Sequence, residues 1–201
     1  MPLLLSKQIS DCAAYAVWNI QETNQVLLSM VDEEVPTNMN PTRLAEWIVG
    51  RILIKSLCGQ FGIDYKGVAA RETGKPHLVG TDVEISISHS FPMAAAMIHK
   101  KSPCGIDLER MRSKLIRIQD KFVNETETAY LNNLEKLCAI WCGKEALYKI
   151  YGRKKLSMKD ETFIEFESDE IMNGLIKKDG DEQRYRIHYE TVKDYYLAYS
   201  I

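Results

Sequence analysis

The chain lacks an excess of basic residues. Its 26 Lys and Arg stand against 28 Asp and Glu, a formal net charge of −2. That excludes a generally basic nucleic-acid binder and leaves room only for local basic patches. It also lacks any apolar run approaching the roughly 20 residues of a membrane span. The opening MPLLLSKQISD places no basic segment ahead of its leucines, so it does not read as a signal peptide. The five cysteines (Cys12, Cys58, Cys104, Cys138 and Cys142) have no metal-type CxxC spacing. Cys138 and Cys142 lie four apart on an expected helix with no histidine nearby, and read as small core hydrophobes. Low-complexity segments and linkers longer than a turn are absent as well. The expectation is a soluble protein of a reducing cytoplasm, with no nucleic-acid or membrane partner. Its 201 residues suit one large domain or two small ones.

What is present begins with Gly105-Ile106-Asp107-Leu108-Glu109. Residues alternate faces along a strand, so Gly105, Asp107 and Glu109 share one face and Cys104, Ile106 and Leu108 the other. At about 3.3 Å of rise per residue the two carboxylates stand roughly 7 Å apart. At an effective dielectric of about 20 they repel by roughly 2.4 kcal/mol. A hard divalent cation bridging to phosphate oxygens would offset that, since Mg²⁺ takes only one or two protein carboxylates. The plain alternative is a strand leaving the core, with Arg110 and Arg112 screening two surface acids.

Two helices are expected. Asn40 as N-cap and Pro41 at the first position open one, with Leu44, Ile48, Ile52 and Leu57 at helical spacing and Gly59 as its stop. The second covers about 132–151 and ends at Gly152. Strands are expected over 11–20, 84–88, 93–99, 163–166, 175–177, 185–189 and 195–201. Gly50-Arg51-x-x-Ile54-x-x-Leu57-x-Gly59 reappears as Gly143-Lys144-x-x-Leu147-x-x-Ile150-x-Gly152. That echo favours two similar α+β halves, 1–103 and 104–201, with a cleft between them as a normal place for a ligand.

On the second helix, Leu134, Cys138, Trp141, Glu145 and Tyr148 form one stripe, so Glu145 interrupts an apolar face. Unpartnered acids on core stripes are rare. A carboxylate for metal or base work, with Lys149 one turn on for phosphate, accounts for both. The plain alternative is an i,i+4 Glu145–Lys149 surface pair. In Ile85-Ser86-Ile87-Ser88-His89-Ser90, the serines take one face and His89 the other. His89 suits a phosphate donor where cations accompany it. Lys75 in Gly74-Lys75-Pro76, and Arg43 and Arg51 on the first helix, are the candidates.

The order GKP, ISHS, GIDLE, WCGKEALYK resembles the 4′-phosphopantetheinyl transferases of the larger, pseudodimeric type that activate surfactin and enterobactin synthetases. Arg43 to Arg51 looks like the matching helix of the enterobactin-type members, and Phe122 and Glu127 match an aromatic-rich helix start with its following glutamate. The resemblance implies an α+β fold of two halves related by a pseudo-twofold, with coenzyme A bound between them. It implies transfer of the phosphopantetheine arm of coenzyme A to a serine of an apo acyl or peptidyl carrier protein. Asp107 and Glu109 would bind Mg²⁺, with Glu145 as further ligand or as base. Lys149 would hold the diphosphate, His89 a phosphate, Lys75 and Ser88 the nucleotide, and Arg43 and Arg51 the 3′-phosphate. A monomer is expected. Cys142 stands where the family commonly has Ser or Thr, and Val123 where a second aromatic residue is frequent. The loop Gly152-Arg153-Lys154-Lys155-Leu156 is more basic than usual. A non-catalytic coenzyme A or carrier-binding module is the alternative, but it would be expected to lose an acid, and all three are present. The segment between Glu109 and Glu127, with Met111, Leu115, Ile116 and Phe122 among Arg110, Arg112, Lys114, Arg117 and Lys121, is expected to face the carrier.

Overall fold

The structure is a computed structural model and describes residues 3–152 and 155–201. Arg153 and Lys154 of the basic loop lie outside the described residues. The chain divides into two compact units, Met1–Ser102 and Pro103–Ile201. Both mix helix with antiparallel sheet, an α+β architecture. None of the described helices is long and apolar enough to cross a membrane.

The first unit runs β1 (Leu3–Ser10), β2 (Ala13–Asn19), α1 (Asn24–Leu28), α2 (Pro41–Gln60), β3 (Val68–Ala70), β4 (Pro76–Leu78), β5 (Glu84–Ser90) and β6 (Met93–His99). Its main sheet is ordered β1-β2-β6-β5, and β3 and β4 form a separate hairpin. The Asn40 side chain accepts from the Arg43 N–H, so α2 starts where the Asn-Pro pair says it should. Gly59 does not stop it. The helix continues to Gln60 and closes through Phe61, and the glycine with a left-handed backbone is Gly62, at φ +64°. Ile48, Leu53, Ile54 and Leu57 of α2 pack on Ala14, Ala16, Ala94 and Ala96, whose small side chains let helix and sheet approach closely. Each fully buried Leu or Ile contributes about 1.5–3 kcal/mol.

The second unit begins with β7 (Gly105–Arg110), then α3 (Lys114–Ile118), 3₁₀ turns at Gln119–Lys121 and Glu125–Tyr130, and α4 (Leu134–Tyr151). Four strands follow: β8 (Thr162–Phe166), β9 (Ile171–Lys178), β10 (Asp181–Val192) and β11 (Tyr195–Ser200). The order β7-β11-β10-β9-β8 sets the first strand beside the last. Asp107 thus lies opposite Ala198 and Glu109 opposite Tyr196. Asn133 caps the start of α4, and Gly152 ends it in the left-handed conformation at φ +63°.

The buried stripe of α4 is not the one expected. Leu137, Ile140, Lys144 and Leu147 face the core, whereas of the expected stripe only Cys138 is buried and Leu134, Trp141, Glu145 and Tyr148 sit half-buried at its margin. All five cysteines are free, four of them buried. Phe122 and Val123 are also core residues, with the Phe122 ring edge-on to Trp141, so neither lies on a carrier-facing surface. Leu115 is buried too, but Arg112, Lys114, Arg117 and Lys121 remain exposed.

Candidate active site

Gly105 brings α4 onto β7. A Cβ on Gly105 would sit 2.1 Å from the Ala146 carbonyl oxygen, so only glycine admits this approach. Two residues further along the same face of β7, Asp107 points at the helix. Lys149 Nζ donates to Asp107 Oδ1 at 2.8 Å and to the Ile106 carbonyl at 2.8 Å. The Asp107 side chain is only 8% exposed. The i,i+4 pairing of Lys149 with Glu145 therefore gives way to a pairing across to the strand.

Glu145 feels the same acids. Burial, then the negative charge of Asp107, raises its carboxyl from 4.5 to about 7, with Glu109 adding to the effect and Lys149 opposing it. Glu109 Oε1 accepts from the Arg110 N–H at 3.0 Å. Cys142 lies beneath this group. Its thiol is pushed well up by burial, by a hydrogen bond with Cys138, and by the charges of Asp107 and Glu109. Sγ of Cys142 donates to the Tyr196 carbonyl at 3.5 Å, so the residue packs as expected. Among the described residues, no three His, Cys, Asp or Glu side chains converge as a ready-made metal cluster. The donor chemistry still fits a hard cation: Asp107, Glu109 and Glu145 offer carboxylate oxygens, and the charges of the first two add to burial in raising the Glu145 carboxyl.

The basic residues of the first unit are less uniform than expected. Arg43 contacts His89 Nε2, and His89 Nδ1 lies 3.3 Å from Glu46 Oε2. An acceptor Nε2 leaves the ring proton on Nδ1, directed at Glu46. Arg43 itself is 3.5 Å from Glu46. Lys75, in the β3–β4 turn, pairs with Glu84 at 2.8 Å, and Arg71 takes the other oxygen of that carboxylate at 3.0 Å. Ser88 is buried in β5. Arg51 is half-buried and committed internally. Its guanidinium lies 3.5 Å from the Trp47 ring centre, Nε donates to Glu33 at 3.1 Å, and Nη2 donates to the Val68 carbonyl at 3.1 Å. Burial pulls the guanidinium down from its ordinary value while Glu33 supports its charge.

Residues 103–200 match the family model of the 4′-phosphopantetheinyl transferase superfamily. Its second unit belongs to the 4′-phosphopantetheinyl transferase superfamily. The chain is 28% identical over 161 residues to the 4′-phosphopantetheinyl transferase of Bacillus subtilis, covering 75% of this chain and 71% of that protein. It is 30% identical over 115 residues to the 4′-phosphopantetheinyl transferase gsp of Aneurinibacillus migulanus, covering 53% of this chain and 48% of that one. The enzyme class is accordingly that of the phosphopantetheinyl transferases.

Within this transferase module, sequence reasoning missed one pair. Lys144 and Glu127 are both fully buried and meet at 2.8 Å. Taking the two charges out of water costs several kcal/mol per ion, recovered only when every donor and acceptor is matched. Here they are matched. Lys144 Nζ also donates to the carbonyls of Phe122 at 2.7 Å, Met158 at 2.9 Å and Thr162 at 2.9 Å. Glu127 accepts from the Asn124 N–H at 3.1 Å and the Ile164 N–H at 2.8 Å. Burial draws the Lys144 ammonium down and Glu127 holds it up. The signal was the Leu137, Ile140, Lys144, Leu147 spacing, which places the lysine on a core stripe.

Proposed function

We propose that the chain transfers the 4′-phosphopantetheine group of coenzyme A to a serine of an apo acyl or peptidyl carrier protein in a Mg²⁺-dependent reaction, releasing adenosine 3′,5′-bisphosphate. The grouping of Asp107, Glu109, Glu145 and Lys149 on β7 and α4 carries this reading. It supplies hard oxygen ligands beside one ammonium, the kit a diphosphate substrate needs. Asp107 and Glu109 would hold the ion, with Glu145 as a third ligand or as base. Mg²⁺ bound there would neutralise charge on the diphosphate oxygens and so stabilise the phosphoryl-transfer transition state.

The protein's own part is positioning and proton handling. The serine oxygen forms a bond to the phosphorus that bears the pantetheine arm as the bond to the bridging oxygen breaks. Lys149 supplies positive charge to the departing diphosphate oxygen. The serine proton passes to Glu145, whose carboxyl near 7 can hold or release it at neutral pH. In the first unit, the Arg43 guanidinium and the His89 imidazole are the exposed candidates for the phosphates of coenzyme A, with Lys75 and Ser88 for the nucleotide. Arg51 supports that region from within, since Glu33 and Trp47 already occupy it. The exposed Arg112, Lys114, Arg117 and Lys121 suit an acidic carrier surface.

Release of adenosine 3′,5′-bisphosphate from a mixture of the chain, coenzyme A, Mg²⁺ and an apo carrier tests this reading. Release that depends on both the carrier and the metal supports it. Coenzyme A left intact with a panel of acyl and peptidyl carriers contradicts it.

A further inference from the structure

Lys144 and Glu145 are neighbours on α4 with opposite surroundings. Lys144 is sealed among four oxygens drawn from three separate segments: Phe122 and Glu127, Met158, and Thr162 at the start of β8. Glu145 sits half-buried within the field of Asp107 and Glu109. Successive helical residues point about 100° apart, so Lys144 and Glu145 face different sides of α4 while Glu145 and Lys149 share one. The helix is thereby held by polar contacts at two azimuths, Lys144 on the β8 side and Lys149 on the β7 side. Apolar packing alone tolerates small rotations and slides, whereas a lysine whose three N–H donors are shared among four surrounding oxygens does not. A buried ion pair is weak evidence for stability, and its best-attested use is to select one arrangement among several that pack equally well.

We propose that the Lys144–Glu127 pair is a positioning device, fixing the rotation of α4 so that Glu145 is aimed at Asp107 and Glu109. The proposal rests on the reading of Glu145 as a member of the metal and proton-transfer site. Lys144 and Glu127 touch neither substrate nor metal, and act through Glu145 alone. The pair also ties the capping turn at Asn124 and the β8 edge to the same helix.

The test is the neutral double variant Lys144→Met with Glu127→Gln, in the full-length chain. It removes both buried charges and keeps a side-chain oxygen for the Ile164 N–H. Mn²⁺ affinity is followed by electron paramagnetic resonance, alongside transfer kinetics and thermal unfolding. A cooperatively folded variant is expected whose Mn²⁺ affinity and kcat each fall about tenfold to a hundredfold, as for residues that orient metal ligands, while KM for coenzyme A hardly moves. If the double variant does not fold, Lys144→Arg, which keeps the charge but alters its reach, is subjected to the same comparison. A folded variant with wild-type Mn²⁺ affinity and kcat overturns the proposal. Failure of both variants to fold overturns it too, because the pair would then be holding the fold rather than aiming one side chain. A wild-type chain that binds no Mn²⁺ overturns the reading of Glu145 and this inference with it. Wild-type binding matched by the variant overturns this inference alone.

Discussion

Lys149 donates to Asp107 Oδ1 at 2.8 Å across 42 residues of sequence, and that one contact joins the helix chemistry to the strand chemistry. It revises the view of Asp107 as one of two acids that merely repel. Asp107 is held by an ammonium on one side while it raises the Glu145 carboxyl on the other. An acid in that position cannot be removed without leaving its lysine short of a partner.

Asp107→Ala is therefore expected to abolish transfer and also to destabilise the second unit by about 1–3 kcal/mol, the usual cost of orphaning a partly buried polar group. Chemical denaturation reads the second effect. An unchanged midpoint would show that the Ile106 carbonyl satisfies Lys149 by itself.

The raised Glu145 carboxyl gives a pH signature. Its folded value, about 7, lies above the ordinary 4.5. The folded state thus binds more protons than the unfolded state between those values. This group's contribution to stability is full below that window, falls as pH rises through it, and levels off above about pH 7. Divalent cations need the ionised form, so their apparent affinity should climb by up to about tenfold per pH unit below 7 and then flatten. Calorimetric titration with Mg²⁺ across this range checks it, and an affinity independent of pH would contradict it.

Arg51 and Arg43 should separate cleanly. Arg51→Ala strips Glu33 of its guanidinium and Trp47 of its stacked partner, so it should lower the stability of the first unit by about 2 kcal/mol. Its preference for coenzyme A over dephospho-coenzyme A should persist. Arg43→Ala should leave stability nearly intact and raise KM for coenzyme A. Steady-state kinetics with both substrates, beside thermal melts, distinguishes these outcomes. Loss of the preference in Arg51→Ala with an unchanged melt would reverse the assignment.

Legibility in the sequence followed the range of the interactions. The start of α2 at Asn40-Pro41 and the end of α4 at Gly152 were readable because capping is settled within a few residues. Strand β5 was readable from the alternation of Ile85 and Ile87 with serines, and β6 from its run of apolar and small residues. The edge strand β1 was not, because it is mostly exposed and carries no clean alternation. Gly59 misled because the left-handed turn forms three residues later, at Gly62. Within the candidate site, the shared face of Asp107 and Glu109 follows from strand period alone. The partners of the cations do not. Glu33, Glu84 and Glu127 reach Arg51, Lys75 and Lys144 through the fold, and no local spacing encodes those pairings.

Gly105→Ala tests the packing that sets the site. The added methyl would meet the Ala146 carbonyl at 2.1 Å, and backbone cannot yield as a side-chain end can. A loss of about 3 kcal/mol is expected as α4 is pushed from β7, the upper end of ordinary overpacking costs. Transfer should fall even in the fraction that remains folded, and a stable, fully active variant would show that the helix moves without penalty.

The central claim is that the acids of β7 and α4 drive metal-dependent modification of a carrier serine. Intact mass spectrometry of an apo carrier incubated with the chain and coenzyme A tests it most directly, with Mg²⁺ or excess EDTA, and with the carrier's acceptor serine intact or changed to alanine. The account predicts a gain of one phosphopantetheine arm only with Mg²⁺ and only on the intact serine. A gain that persists in EDTA, or on the alanine carrier, would contradict it.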